Sequence, residues 1–176
     1  MAEVGAGLAR HPWGGALAGI RYAAGLAATG AVSAARAFGG QTAPPIPLPA
    51  RDRRFADEAW AGNPLFFALQ QSYLLTARLA RELVAAAELD PRWRGKAELA
   101  TQLLIDAMAP SNFLATNPAA LKRAFDTGGR SAAKGINNFL DDLLSNGGKP
   151  RQVDTSPFTL GENLAATKGK VVFRNS

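Results

Sequence analysis

Few residues in this chain of 176 have side chains suited to covalent or metal chemistry. There is no cysteine, which excludes disulfides, thiolate metal ligands and a thiol nucleophile together. The single histidine, His11, lies in a Gly-rich N-terminal tract. One imidazole does not make a His-rich metal site, and a mobile tract holds general-base geometry poorly, so His11 reads as a bystander. Ser72, Ser111, Ser131, Ser145, Ser156 and Ser176 are hydroxyl candidates, but none stands in the G-x-S-x-G turn that exposes a serine nucleophile. Asp106, alone on an expected helix, reads as a cap or an ion-pair partner. The residue chemistry therefore assigns no catalytic, cofactor-binding or metal-binding residue.

The elements that would position any site are mostly helical. Asn63, Asp90 and Asn117 each precede a proline. An Asn or Asp side chain accepts from orphan amides at a helix start, and proline at the first helical position gives up a donor that has no partner there. These three starts are evenly spaced, but the intervening sequences share too little to make a repeat. The first helix is expected over 64–88, with Leu65, Phe66, Leu69, Tyr73, Leu74, Leu79, Leu83 and Val84 on its apolar face. The second, over 91–108, presents Trp93, Ala97, Ala100, Leu103, Leu104, Ala107 and Met108 and stops at Pro110. A third is expected over 118–127, with Leu121 and Phe125 facing in and Gly128 as a left-handed terminator. The fourth, over 130–146, carries Ile136, Phe139, Leu140, Leu143 and Leu144 and ends at Gly147-Gly148. Phe55 and Trp60 are assigned to a short leading turn that packs on these helices. Most of the apolar residues are expected to form the bundle's own core.

The flanks differ in texture. Residues 1–43 are rich in Ala and Gly; Leu17, Ile20, Ala24, Ala27, Ala28 and Ala31 suggest a marginal helix over about 15–38, which five glycines weaken by roughly 1 kcal/mol each. Arg21 interrupts the apolar run before it reaches the ~20 residues of a membrane span, so no transmembrane segment is expected. Residues 44–50 hold four prolines and read as a polyproline-like spacer. After Pro150, Phe158, Leu160 and Leu164 lie among turn formers, and Val171-Val172-Phe173 forms a strand-like run that needs a partner.

The net charge of +6 is concentrated late: residues 91–176 carry twelve Lys and Arg against seven acidic residues. These basic residues are dispersed, without the stripe or stacking aromatics of a nucleic-acid footprint, so no nucleic-acid partner is expected. The absence of cysteine fits a cytoplasmic protein.

Several motifs occur in a fixed order: Arg53-Arg54-Phe55-Ala56-Asp57-x-x-Trp60-x-x-Asn63-Pro64-Leu65-Phe66; Leu104-Ile105-Asp106-Ala107; Pro110-Ser111-Asn112-Phe113-Leu114-Ala115-Thr116-Asn117-Pro118; Thr127-Gly128-Gly129; Gly161-x-Asn163-Leu164-Ala165-x-Thr167; and Val171-Val172-Phe173-Arg174-Asn175. Over residues 51–176 this order resembles the N-terminal region of bacterial poly(3-hydroxyalkanoate) synthases. The resemblance implies an acyltransferase that polymerises 3-hydroxyacyl-CoA with a Cys, an Asp and a His placed further along an α/β-hydrolase domain. None of these is present here, so the expected role is a non-catalytic N-terminal portion, as a truncated product or one half of a split gene. The expected fold is mainly α: an Ala/Gly/Pro-rich flexible tail and linker over 1–50, a helical domain over 51–149, and a connector over 150–176 ending in the first strand of a missing catalytic domain. No cofactor is implied. The implied partners are the catalytic domain of the same or a separate synthase chain, a polyester granule surface or its associated proteins, and a second copy in a homodimer. The implied location is the cytoplasm, at the granule surface. The rival readings are a free-standing interaction module and, third, a basic nucleic-acid-binding helical domain.

Overall fold

The helix-start signals operate as their chemistry requires. In the computed structural model, which describes residues 2–40, 42–49, 52–150, 153 and 157–159, Asn63 Oδ1 accepts from the amides of Leu65 and Phe66. Asp90 Oδ1 accepts from Arg92 and Trp93, and Asn117 Oδ1 from Ala119 and Ala120. Each cap opens a helix whose first residue is proline. The helices are α1 (Ala2–Arg10), α2 (Pro12–Ala37), α3 (Ala59–Gly62), α4 (Pro64–Ala86), α5 (Pro91–Ala107), α6 (Pro118–Asp126) and α7 (Arg130–Ser145). The protein is mainly α, with no strand among the described residues. Val171–Phe173 and the Gly161–Thr167 motif lie outside the described residues.

The chain forms two units, Met1–Gly128 and Gly129–Ser176. In the first unit α4 is central, packed by α2, α3, α5 and α1. The marginal helix expected over 15–38 is present as α2 and lies antiparallel along α4. Ser33 Oγ donates to Pro64 O at 2.6 Å, the Tyr22 and Thr76 hydroxyls lie 3.2 Å apart, and His11 meets Glu88 at 3.0 Å. Two of the glycines that weaken α2 as an isolated helix let it approach α4: a Cβ on Gly14 would stand 2.8 Å from Ala86 Cβ, and one on Gly25 would collide with Leu75 Cδ2. Lost helix propensity is offset by close packing.

The leading turn packs as expected. Asp52 caps a 3-10 turn, Arg53–Phe55, and Phe55 and Trp60 are buried in the core with Leu74, their rings edge to face at 4.9 Å. The proline-rich segment is strapped to α4: Gln71 Oε1 accepts from Ile46 N at 2.9 Å, and Gln71 Nε2 donates to Ile46 O at 3.0 Å. That reciprocal pair satisfies a fully buried amide, which an apolar side chain there would not do.

The faces differ from the expectation. On α4, Phe67, Gln70, Gln71, Leu75 and Ala77 are buried along with Leu74 and Val84, while Leu65 is 75% exposed. A helix with neighbours on several sides buries more than one stripe. On α5 only Thr101 and Ile105 are buried, and the expected inward residues Trp93, Leu103, Leu104 and Met108 are exposed. Phe125 on α6 is exposed as well. In the second unit, α7 gathers Ile136, Phe139, Leu140, Leu143 and Leu144 with none buried. Gly128, at φ +58°, takes the left-handed conformation that ends α6, and Gly147 and Gly148 do the same after α7.

Candidate functional site

The motif Pro110–Pro118 builds a turn. Pro110–Asn112 form a 3-10 turn directly after α5. Asn112 Nδ2 donates to Asp106 O at 2.8 Å and Ala107 O at 3.1 Å, adding a side-chain donor to carbonyls at the end of α5. Thr116 Oγ1 donates to Pro110 O at 2.6 Å, and Asn117 Nδ2 donates to Ser111 O at 2.7 Å. Asn117 therefore clasps the turn with its nitrogen while its oxygen caps α6. Each polar side chain in the motif whose bonds are described satisfies local backbone; the arrangement is a structural joint between α5 and α6.

A second cluster ties the leading turn to α4 and α5. Arg54 grips Asp52 through two bonds, Nε to Oδ1 at 2.8 Å and Nη2 to Oδ2 at 2.7 Å. Its Nη1 donates to Tyr73 Oη at 2.8 Å and to Asp106 Oδ1 at 2.9 Å. Tyr73 Oη donates onward to Ile105 O, and Gln102 Nε2 donates to Asp106 Oδ2. Charge-assisted, bidentate bonds of this kind fix orientation. Arg54 holds the Asp52 carboxyl below the usual carboxylate range, and burial pushes the Tyr73 phenol up. Asp106 is thus an ion-pair partner, as expected. Arg54 stands in a quoted motif, but its role needed the fold, as did that of Tyr73, which the sequence placed only on an apolar face.

Beside this cluster, α1, α4 and α5 border a half-open groove of about 460 Å³. Its walls include Val4, Leu8, Ala77, Ala80, Leu83, Val84, Ile105 and Met108. Two of its hydroxyls bond within the chain: Tyr73 Oη donates to Ile105 O, and Thr76 Oγ1 donates to Ser72 O at 2.8 Å. The groove suits contact with an apolar partner. His11 stands on an exposed pair with Glu88, apart from Arg54 and its partners. Among the described residues, no group of three or more His, Asp and Glu is placed to hold a metal, and no helix is long and apolar enough to cross a membrane.

The family model for the poly-beta-hydroxybutyrate polymerase (PhaC) N-terminus matches residues 51–176, which include the leading turn, the Arg54 cluster and the Pro110–Pro118 joint. The chain belongs to this family. It is 41% identical over 153 residues to the poly(3-hydroxyalkanoate) polymerase of Methylorubrum extorquens, covering 85% of this chain and 25% of that protein. It is 46% identical over 125 residues to poly(3-hydroxyalkanoate) polymerase 2 of Ectopseudomonas oleovorans, covering 71% and 22%. To the poly(3-hydroxyalkanoate) polymerase subunit PhaC of Cupriavidus necator it is 43% identical over 127 residues, covering 72% and 21%. The chain therefore spans about a quarter of the length of these curated relatives, and its similarity is to the polymerase N-terminus. With 85% of the chain covered, the Methylorubrum match extends beyond residues 51–176 into the N-terminal tract. No solved structure matches the chain.

Proposed function

We propose that this chain acts as the non-catalytic N-terminal portion of a polyhydroxyalkanoate synthase, which polymerises 3-hydroxyacyl-CoA, and that its role is to support the catalytic domain. The observation that carries this reading is the groove between α1, α4 and α5. It is an apolar recess in which the Tyr73 and Thr76 hydroxyls bond within the chain, bordered by the exposed Leu104 of α5 and Met108 that follows it. An apolar surface of another domain gains by covering it and leaves the bonds of Tyr73 and Thr76 intact. The Arg54 cluster and the Pro110–Pro118 joint hold α5 in place as one wall.

The test pairs the chain with the catalytic portion of the Cupriavidus relative, prepared without its matching N-terminal region, and follows CoA release from 3-hydroxybutyryl-CoA. The chain alone releases no CoA; added to the catalytic portion it binds and raises its turnover, and Met108→Lys weakens both effects. Turnover by the chain alone that survives contamination controls removes the non-catalytic reading, and absence of binding removes the supporting one. A second reading, contact with the polyester granule, draws on the exposed Leu99, Leu103 and Phe125. Sedimentation of the chain with isolated granules, lost on changing these residues to Gln, distinguishes it. The implied dimer contact and cytoplasmic location belong to the same reading, and the groove bears on neither.

A further inference from the structure

Of the three helices that border the groove, α1 is held most lightly. Gly5 and Gly7 weaken its nine residues as a helix, and an isolated helix shorter than about 12 residues is marginal in water. Val4 is buried and Leu8 half-buried at the groove, and Gly7 is buried where a Cβ would stand 3.2 Å from Ala87 Cβ. Two polar ties are weak: the His11–Glu88 pair is exposed on both sides, and Arg10 Nη2 donates to Glu88 O at 3.5 Å. One residue, His11, joins α1 to α2. It is non-helical, at φ −131° and ψ 71°, as the residue before a proline prefers, so α2 starts afresh at Pro12. Helix α1 can therefore leave the groove without unwinding α2.

We propose that α1 is a displaceable cover on the groove, occupying surface that the catalytic portion takes over when it docks. This regulation rests on the docking reading above. A recess of about 460 Å³ has small-molecule size, whereas contacts between domains cover about 600–1,500 Å². The surface beneath α1 extends the recess: Ala87, with no exposure of its own, meets Gly7, and Val84 in the groove wall is 4% exposed. Both residues, like the whole of α5, lie within residues 51–176, whereas α1 lies outside that matched segment. The shared helices thus carry the apolar trough, and a helix outside the shared segment closes part of it. A partner that needs the open form binds with an affinity reduced by the fraction of chains that are open. Helix α1 therefore shields apolar surface until the partner arrives, and it sets how tightly that partner is held.

The test is calorimetric binding of the 176-residue chain and two variants to the same catalytic portion of the Cupriavidus relative. Val4→Asp sets a carboxylate at a buried position and frees α1, so binding tightens about tenfold. Gly7→Cys combined with Ala87→Cys pins α1, since the 3.2 Å between the Cβ positions is close to the roughly 3.5–4.5 Å of a disulfide. The natural chain has no cysteine to compete. Oxidised, this variant binds at least about tenfold more weakly than when reduced. Hydrogen exchange on the chain alone reads the cover without the partner: α1 amides exchange at least about a hundredfold faster than those of central α4. Equal protection of α1 and α4 overturns the proposal, and so does a disulfide that leaves binding unchanged. A Val4→Asp chain that binds no more tightly than the natural one overturns it too, and decides alone if the thiols do not link. If no form binds, the docking reading fails and the regulation falls with it; if the chain binds and the locked form binds equally, the cover alone fails.

Discussion

Helices α4 and α5 begin alike and are buried differently. Each opens with an Asn or Asp cap and a proline, and each carries apolar residues at three- and four-residue spacing. Yet α4 buries seven residues, two of them glutamines, while α5 buries Thr101 and Ile105 alone. Periodicity announces that a helix has an apolar face; the neighbours decide how much of it is covered. With α2 along one side and the leading turn on another, α4 is enclosed widely enough to bury Gln70 and Gln71. α5 meets α4 along one narrow strip and leaves Leu103 and Leu104 at 61% and 56% exposure. The central helix therefore holds the fold together, and the peripheral one offers surface.

The strongest way to break this contrast is at Phe67, which is fully buried and lies under the Arg36 guanidinium at 4.0 Å. Phe67→Ala is expected to remove about 3–5 kcal/mol in denaturant unfolding; a loss below about 1 kcal/mol would make α4 no more central than α5. Next is Gln71→Leu, which keeps the bulk but strands the N–H and C=O of Ile46. A loss of about 1–3 kcal/mol in thermal unfolding is expected, and an unchanged midpoint shows that the proline-rich strap does not depend on the amide.

The caps sharpen the comparison from the other direction. Asn63→Ala and Asp90→Ala should each cost about 1 kcal/mol, equally in the two helices, because capping is local. A large inequality would show tertiary strain at one helix start. Smaller again is a pH effect at the Arg54 cluster. Asp52 is held below its ordinary range in the fold, so the unfolded chain binds more protons in that window. Its contribution is complete above the unfolded carboxylate range and is lost as pH falls through the lower folded value. Asp52→Asn should be less stable than the natural chain at neutral pH, and the difference should close toward acid; a constant difference points to packing alone. Last, Leu103→Gln on α5 should shift stability by less than about 0.5 kcal/mol, and a larger loss would mean that α5 is covered in solution.

Much of this was legible in the residues. Asn63, Asp90 and Asn117 marked their helix starts because the bonds they make reach only two or three residues. Gly128 and Gly147 marked helix ends for the same local reason. The order of motifs from Arg53 onward identified the family. The partners were not legible. Nothing near Arg54 in sequence announces Tyr73 or Asp106, and nothing near Ile46 announces Gln71; each contact closes a long loop of chain. The stripe named for α2, with Leu17 and Ile20, was also a true apolar face, but it points away from α4.

By itself, then, the sequence determined where most helices begin and end, what terminates them, and which family the chain joins, since those depend on bonds between near neighbours and on residue order. Only the tertiary structure decided which face of each helix turns inward. On α2, glycine and alanine allow the backbone to approach α4 more closely than leucine or isoleucine would. Close approach at Gly14, Ala18 and Gly25 turns this side inward, with Tyr22 and Arg36 reaching α4 beside them, and hydrophobicity counted along one helix carries no information about the closeness of the next.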